Sequence, residues 1–91
     1  MKLADDLFNW LQIKLVSDHR PDDVAAHETA DFFAGILQEH GVDIQQLTYR
    51  MDETMIHVHY VQNGQAKTHM FPREAAEKLL RDIEHEPRYG L

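Results

Sequence analysis

Apolar positions along this chain recur first at helical spacing, then at strand spacing, then at helical spacing again. Residues 3–16, LADDLFNWLQIKLV, place Leu3, Leu7, Trp10 and Leu11 on one ridge and Ala4, Phe8, Leu11 and Leu15 on the next. Steps of three and four make a broad helical stripe. Asp5 and Asp6 fall in its first turn, where the helix dipole favours carboxylates. SDHRP at 17–21 breaks the pattern. Pro21 cannot continue a helix but can open one at its first position. A second helix is therefore predicted over 22–40, with Asp22 and Asp23 in its first turn. Its core side is Ala25, Thr29, Phe32, Phe33, Ile36 and Leu37. Gly41 closes it as a left-handed cap, leaving Val42 to touch Leu37. Gly35 sits mid-helix, at a cost of roughly 1 kcal/mol relative to Ala. It reads either as a weak point or as a place where another backbone comes close.

From Gln45 the spacing changes to two. QLTYRM, TMIHVHYV and QAKTHMF read as three strands of a meander. Asn63-Gly64 is a strong two-residue hairpin signal; the Asp52-Glu53 turn fixes its register less firmly. Pro72 stops the last strand and opens a third helix, PREAAEKLLRDIE, striped by Ala76, Leu79, Leu80 and Ile83. The predicted fold class is α+β: two N-terminal helices, a three-stranded antiparallel meander and a C-terminal helix, in the order ααβββα. One domain spans 1–84 and a loose tail spans 85–91. Trp10, Phe32, Phe33, Ile36, Leu47, Val58, Phe71, Leu79 and Ile83 are expected in one core. Three strands make a sheet only ~15 Å wide, and packed helices need about 8–10 Å each. The third helix must then stack on the others, cover the second sheet face, or dock on another subunit.

The Asn-Gly turn also fixes where the histidines point. Counting outward from Gln62 and Gln65, Tyr60 meets Lys67, Val58 meets His69 and Ile56 meets Phe71. On the opposite face His59 meets Thr68 and His57 meets Met70. Opposed residues share a face, so His69 joins the core side as a semi-buried, hydrogen-bonded histidine. His57 and His59 lie together on the polar side, roughly 6.6 Å apart at two strand steps. A His-x-His pair is the weak metal candidate of this chain. Zinc wants three protein ligands when catalytic and four when structural, and the residues nearest the pair, Gln46, Thr48 and Thr68, are poor ligands. The expectation is two amphipathic residues on a wet sheet face, with no metal and no other cofactor. A dimer axis through that face would double the imidazoles to four.

Other patterns carry less. HETAD at 27–31 approaches the His-Glu-x-x-His motif of zinc metalloproteases but ends in Asp31. Asp23, His27 and Asp31 read instead as a solvated charged stripe. Ser17, Asp18 and His19 are adjacent in sequence, which does not supply the convergence a nucleophile, base and orienter need. No Gly-rich phosphate loop is present. No catalytic residue is assigned, and an enzyme is not expected.

Composition narrows the setting. Sixteen acids against nine bases give a net charge of −7 over 91 residues, so nucleic acid and anionic membranes are repelled. The apolar runs fall far short of the ~20 residues of a membrane span. No signal peptide is evident, and the absence of cysteine suits a reducing, bacterial-type cytoplasm. Seven histidines could bring the charge to about 0 if all were protonated, so solubility should fall toward pH 5. The helix-βββ-helix order over 22–84 is similar in topology to double-stranded-RNA-binding domains. That resemblance implies a duplex-RNA partner gripped by bases opening the last helix. Here Arg73 and Lys78 have Glu74 and Glu77 between them, and 22–84 holds twelve acids against five bases. The chain reads as a small acidic cytoplasmic domain, a non-enzymatic protein-interaction or regulatory module, with a homodimer among the expected forms. Metal binding through His57 and His59 across a dimer face is one alternative, and RNA binding is another.

Overall fold

The computed structural model describes residues 2–85; apart from His85, the expected tail lies outside them. The first helix, α1 (Leu3–His19), runs three residues past its predicted end. Side chains sustain that last turn. His19 Nδ1 bonds the Leu15 carbonyl at 3.0 Å, Lys14 pairs with Asp18 one turn on, and Ser17 is buried. The second helix, α2 (Val24–Glu39), starts later than predicted. Asp23 is its N-cap, accepting the Ala26 amide at 3.0 Å, so Pro21 and Asp22 form the turn before it. An Asp side chain that can bond a free amide wins here over proline's preference for the first helical position.

The inward face of α2 also differs from the prediction. Ala26, Ala30 and Leu37 are buried, with Phe33 and Ala34 packed beside them, whereas Ala25, Thr29 and Phe32 are exposed. The helix carries apolar residues on two adjacent stripes, and periodicity does not say which one turns inward. The small alanines let α2 lie close to α1. Its C-terminus is as expected. Gly41 takes φ +86°, its amide bonds the Gln38 carbonyl, and the Val42 amide bonds the Leu37 carbonyl at 3.1 Å. That is the Schellman pair of bonds, with Leu37 and Val42 both in the core.

A 3₁₀ turn (Ile44–Gln46) leads into β1 (Thr48–Met51), β2 (Met55–Gln62) and β3 (Gln65–Pro72). They form an antiparallel sheet in the order β1-β2-β3. Val58 pairs with His69, His57 with Met70 and His59 with Thr68, while Thr48 pairs with His59 and Tyr49 with Val58. Asn63 and Gly64 have φ of +51° and +83°, the positive values a type I′ hairpin requires. The third predicted helix comes as two segments, α3 (Arg73–Ala76) and α4 (Lys78–Glu84), interrupted at Glu77.

One face of the sheet supplies Ile56, Val58, Tyr60 and Phe71 to a core shared with Leu7, Trp10, Leu11 and Leu15 of α1, Leu37 of α2 and Ala76 of α3. A second cluster joins Val16, Ala26 and Leu80, with Ile13, Leu79 and Ile83 against it. The third helix therefore stacks on the other helices. Helix α1 is sandwiched, with the sheet on one flank and α2 and α4 on others, which is why its buried residues run nearly all the way round. Of the expected core, Trp10, Val58 and Phe71 are buried, Phe33, Ile36, Leu47, Leu79 and Ile83 are half-buried, and Phe32 is on the surface.

Candidate functional site: the open face of the sheet

The helices lie on one side of the sheet, and among the described residues nothing covers its second face. It carries Thr48 and Arg50 from β1, Met55, His57, His59 and Val61 from β2, and Ala66, Thr68 and Met70 from β3. Strand alternation puts them there. Met70 is 54 % exposed.

The two histidines stand side by side. Their ring centroids are 6.5 Å apart and the planes differ by 12°. Each is held from outside the pair. His59 Nδ1 shares a hydrogen bond with Thr68 Oγ1 at 2.9 Å, across the strand. His57 Nε2 reaches Asp52 Oδ2 at 2.8 Å. Asp52 is fixed in turn by the Thr54 and Met55 amides, which donate to its Oδ1 at 2.9 and 2.7 Å. The His57 bond first, then these amides, hold the Asp52 carboxyl down at about 2. This ties the β1–β2 turn to the histidine pair, a link invisible in the alternation of the strands. Its sequence signal was the Asp at the head of a turn, a residue type that bonds amides two and three positions on.

Among the described residues, no group of three or more His, Asp or Glu side chains gathers where a metal ion could sit. Within one chain the face offers His57 and His59 with Asp52 at its rim. His69, on the core side as register demanded, stacks on Phe71 with ring centroids 4.5 Å apart. Among the described residues its ring makes this contact and not the hydrogen bond expected of it.

The other sequence candidates are dispersed. Ser17, Asp18 and His19 point to different partners: Ser17 Oγ donates to His27 Nδ1, Asp18 accepts from the Tyr49 hydroxyl at 2.5 Å, and His19 turns back on α1. Burial, then the Asp18 bond, pushes the Tyr49 phenol well above its ordinary value. The charged stripe Asp23, His27, Asp31 does not exist as such, because Asp23 caps α2 and the His27 ring bridges Ser17 and the Pro21 carbonyl. Ser17 and His27 are a serine–histidine contact that sequence adjacency did not reveal. Ser17 is only 2 % exposed, so the bond satisfies a buried hydroxyl at the α1–α2 junction.

The bases of the last helix are engaged internally. Arg73 donates to Glu77 at 3.1 Å and to the Asp52 carbonyl at 2.9 Å. Lys78 pairs with Asp82 at 2.7 Å, and Arg81 donates to the Glu74 carbonyl at 2.8 Å. Each acidic neighbour lowers the potential a phosphate would meet. Among the described residues no helix is long and apolar enough to cross a membrane. No known family, curated protein or solved structure matches this chain.

Proposed function

We propose that this chain is a non-enzymatic interaction module whose open sheet face docks a second copy of itself. The observation that carries the reading is the charge of that face in an acidic molecule. The chain has sixteen acids, yet the face bears Arg50, two histidines, methionines and threonines. Its rim carboxylate, Asp52, is already bonded to His57. Two copies can approach there without setting carboxylates against each other, and a mixed apolar and polar patch of this kind suits an interface.

The face is small. Three strands of up to eight residues cover roughly 14 by 26 Å, on the order of 400 Å² per copy against about 800 Å² in a standard interface. The dimer is accordingly weak, and sedimentation equilibrium across the micromolar to millimolar range is the experiment that tests it. A concentration-dependent dimer is expected. Met70→Asp should abolish it without disturbing the fold. A monomer at every concentration, or a dimer indifferent to Met70→Asp, would refute the reading.

A second reading rests on the near-parallel rings of His57 and His59. Across a twofold axis they become four imidazoles, the number a structural zinc requires. Zinc that raises dimer affinity in the natural chain, but not in His57→Ala/His59→Ala, would support that version. A cytoplasmic setting belongs to both readings and rests on the cysteine-free composition.

A further inference from the structure

The stripe of α2 that the sequence assigns to the core, and that the structure leaves outside, asks for an occupant. Ala25, Thr29, Phe32 and Ile36 follow one another at steps of four, three and four, the spacing of a helix face that packs. Yet Phe32 is 64 % exposed and Ala25 and Thr29 are also at the surface, with Ile36 half-buried at the end of the stripe. Phe32 sets its ring edge-on against Phe33 at 5.4 Å and leaves its outer side open, while α2 reaches the core through Ala26, Phe33 and Leu37. Gly35 lies one turn beyond Phe32, and a Cβ placed on it would meet nothing within 4 Å. Glycine weakens a helix, and among the described residues no neighbouring element comes close enough to require it. The notch it leaves beside Phe32 admits the side chains or backbone of something outside the chain.

The charge around this stripe decides between occupants. From residue 21 to 49 there is no Lys or Arg, while Asp22, Asp23, Glu28, Asp31, Glu39 and Asp43 all fall within it. Among the described residues Glu28 and Glu39, which flank the stripe, enter no ion pair. A second copy is a poor fit. A twofold contact sets the same patch against itself, so every ionic contact across it would be carboxylate against carboxylate. A partner helix with an apolar ridge and Lys or Arg on its flanks would satisfy both the stripe and its rim. We infer that the outer stripe of α2, centred on Phe32 and Gly35, is a docking site for a basic amphipathic helix of another protein. This goes beyond the self-association of the sheet face and does not depend on it, because the two surfaces belong to different elements and different charge fields.

The probes are two synthetic helical peptides of equal length, one built of Leu and Lys and the other of Leu and Glu. Each is titrated into the full isotopically labelled chain while amide shifts are followed. The Leu/Lys peptide should shift amides along the outer side of α2 and should weaken with added salt. The Leu/Glu peptide should leave the spectrum unchanged. Phe32→Ala should weaken Leu/Lys binding about tenfold or more. Gly35→Leu, which fills the notch at an exposed position, should do the same while the circular-dichroism spectrum stays unchanged. Equal response to both peptides, shifts centred on the sheet face, or binding that survives both substitutions would overturn the inference. So would a dimer of the free chain that Phe32→Ala dissolves. Loss of the sheet-face dimer in Met70→Asp leaves this result unaffected, so the two readings fail separately.

Discussion

Asp6 has no exposed surface. Its Oδ2 accepts a hydrogen bond from His40 Nε2 at 2.7 Å, and its Oδ1 has no partner among the described residues. The bond pins the start of α1 to the C-cap of α2, whose His40 carbonyl in turn accepts from Gln62 at 2.8 Å. His40→Ala strands the carboxyl in the core and should cost about 2–4 kcal/mol, since an unmet buried polar group loses more than its bond was worth. Asp6→Leu/His40→Leu removes both partners and should recover most of that in urea melts; a double variant as unstable as the single one would argue against the pairing. Asp52 makes a contrasting case at the surface. Its carboxyl sits at about 2 against an ordinary 3.8, so ionisation favours the folded state. The sign follows: its contribution is complete above pH about 4 and is lost as pH falls from there toward 2. Asn at 52 can still accept the turn amides, so Asp52→Asn isolates the charge and its bond to His57. The stability gap between the two proteins should close as pH falls from about 4 toward 2. A gap that persisted or widened over that interval would reverse the assignment.

One glycine inside α2 and one just past its C-cap behave oppositely. Gly35 has ordinary helical geometry and open space at its Cβ, so Gly35→Ala should stabilise the free chain by about 0.5–1 kcal/mol in thermal melts. Gly41 has φ +86°, and a Cβ there would strike the Asn63 side chain. Gly41→Ala should therefore destabilise by about 1–2 kcal/mol or more, and no gain is expected at any temperature. The same helix marks the limit of what its sequence disclosed. Turn chemistry is local and was legible: Gly41 gave the cap, Asn63-Gly64 gave the hairpin register, and the register gave the facing of His57, His59 and His69. Phase around α2 was not, because Ala25, Phe32 and Ile36 compete with Ala26, Ala30 and Leu37, and only the shape of α1 decides between them. The start of α2 turned on a side-chain bond from Asp23 rather than on Pro21. The same limit applies to the site. That His57 and His59 share a face could be counted from the turn, whereas the Asp52 link depends on the conformation of the β1–β2 turn and the Ser17–His27 contact on how α1 and α2 meet.

At the scale of the whole molecule, the −7 charge competes with the ion pairs that decorate the surface. Lys14–Asp18, Arg73–Glu77 and Lys78–Asp82 are exposed or half-exposed pairs four residues apart on helices. Pairs of this kind contribute about 0.3–0.5 kcal/mol each, and salt weakens them. Against them stands self-repulsion. The folded chain has a radius of gyration of 13.2 Å, whereas an unfolded chain of this length spreads to roughly 30 Å. Spreading seven charges over spheres of those sizes in water relieves on the order of 3 kcal/mol at very low ionic strength. A Debye length of about 10 Å at 0.1 M salt cancels most of that difference. Repulsion thus outweighs the pairs, and screening should stabilise this protein. The melting temperature is expected to rise by several degrees between low salt and about 0.3 M sodium chloride, and to rise equally in potassium chloride, since screening follows ionic strength rather than the identity of the cation. Dilute monomer is the sample to use, because the same screening would also favour association between acidic copies. A fall in melting temperature with salt would mean that the helical pairs, few as they are, carry more of the stability than the net field removes.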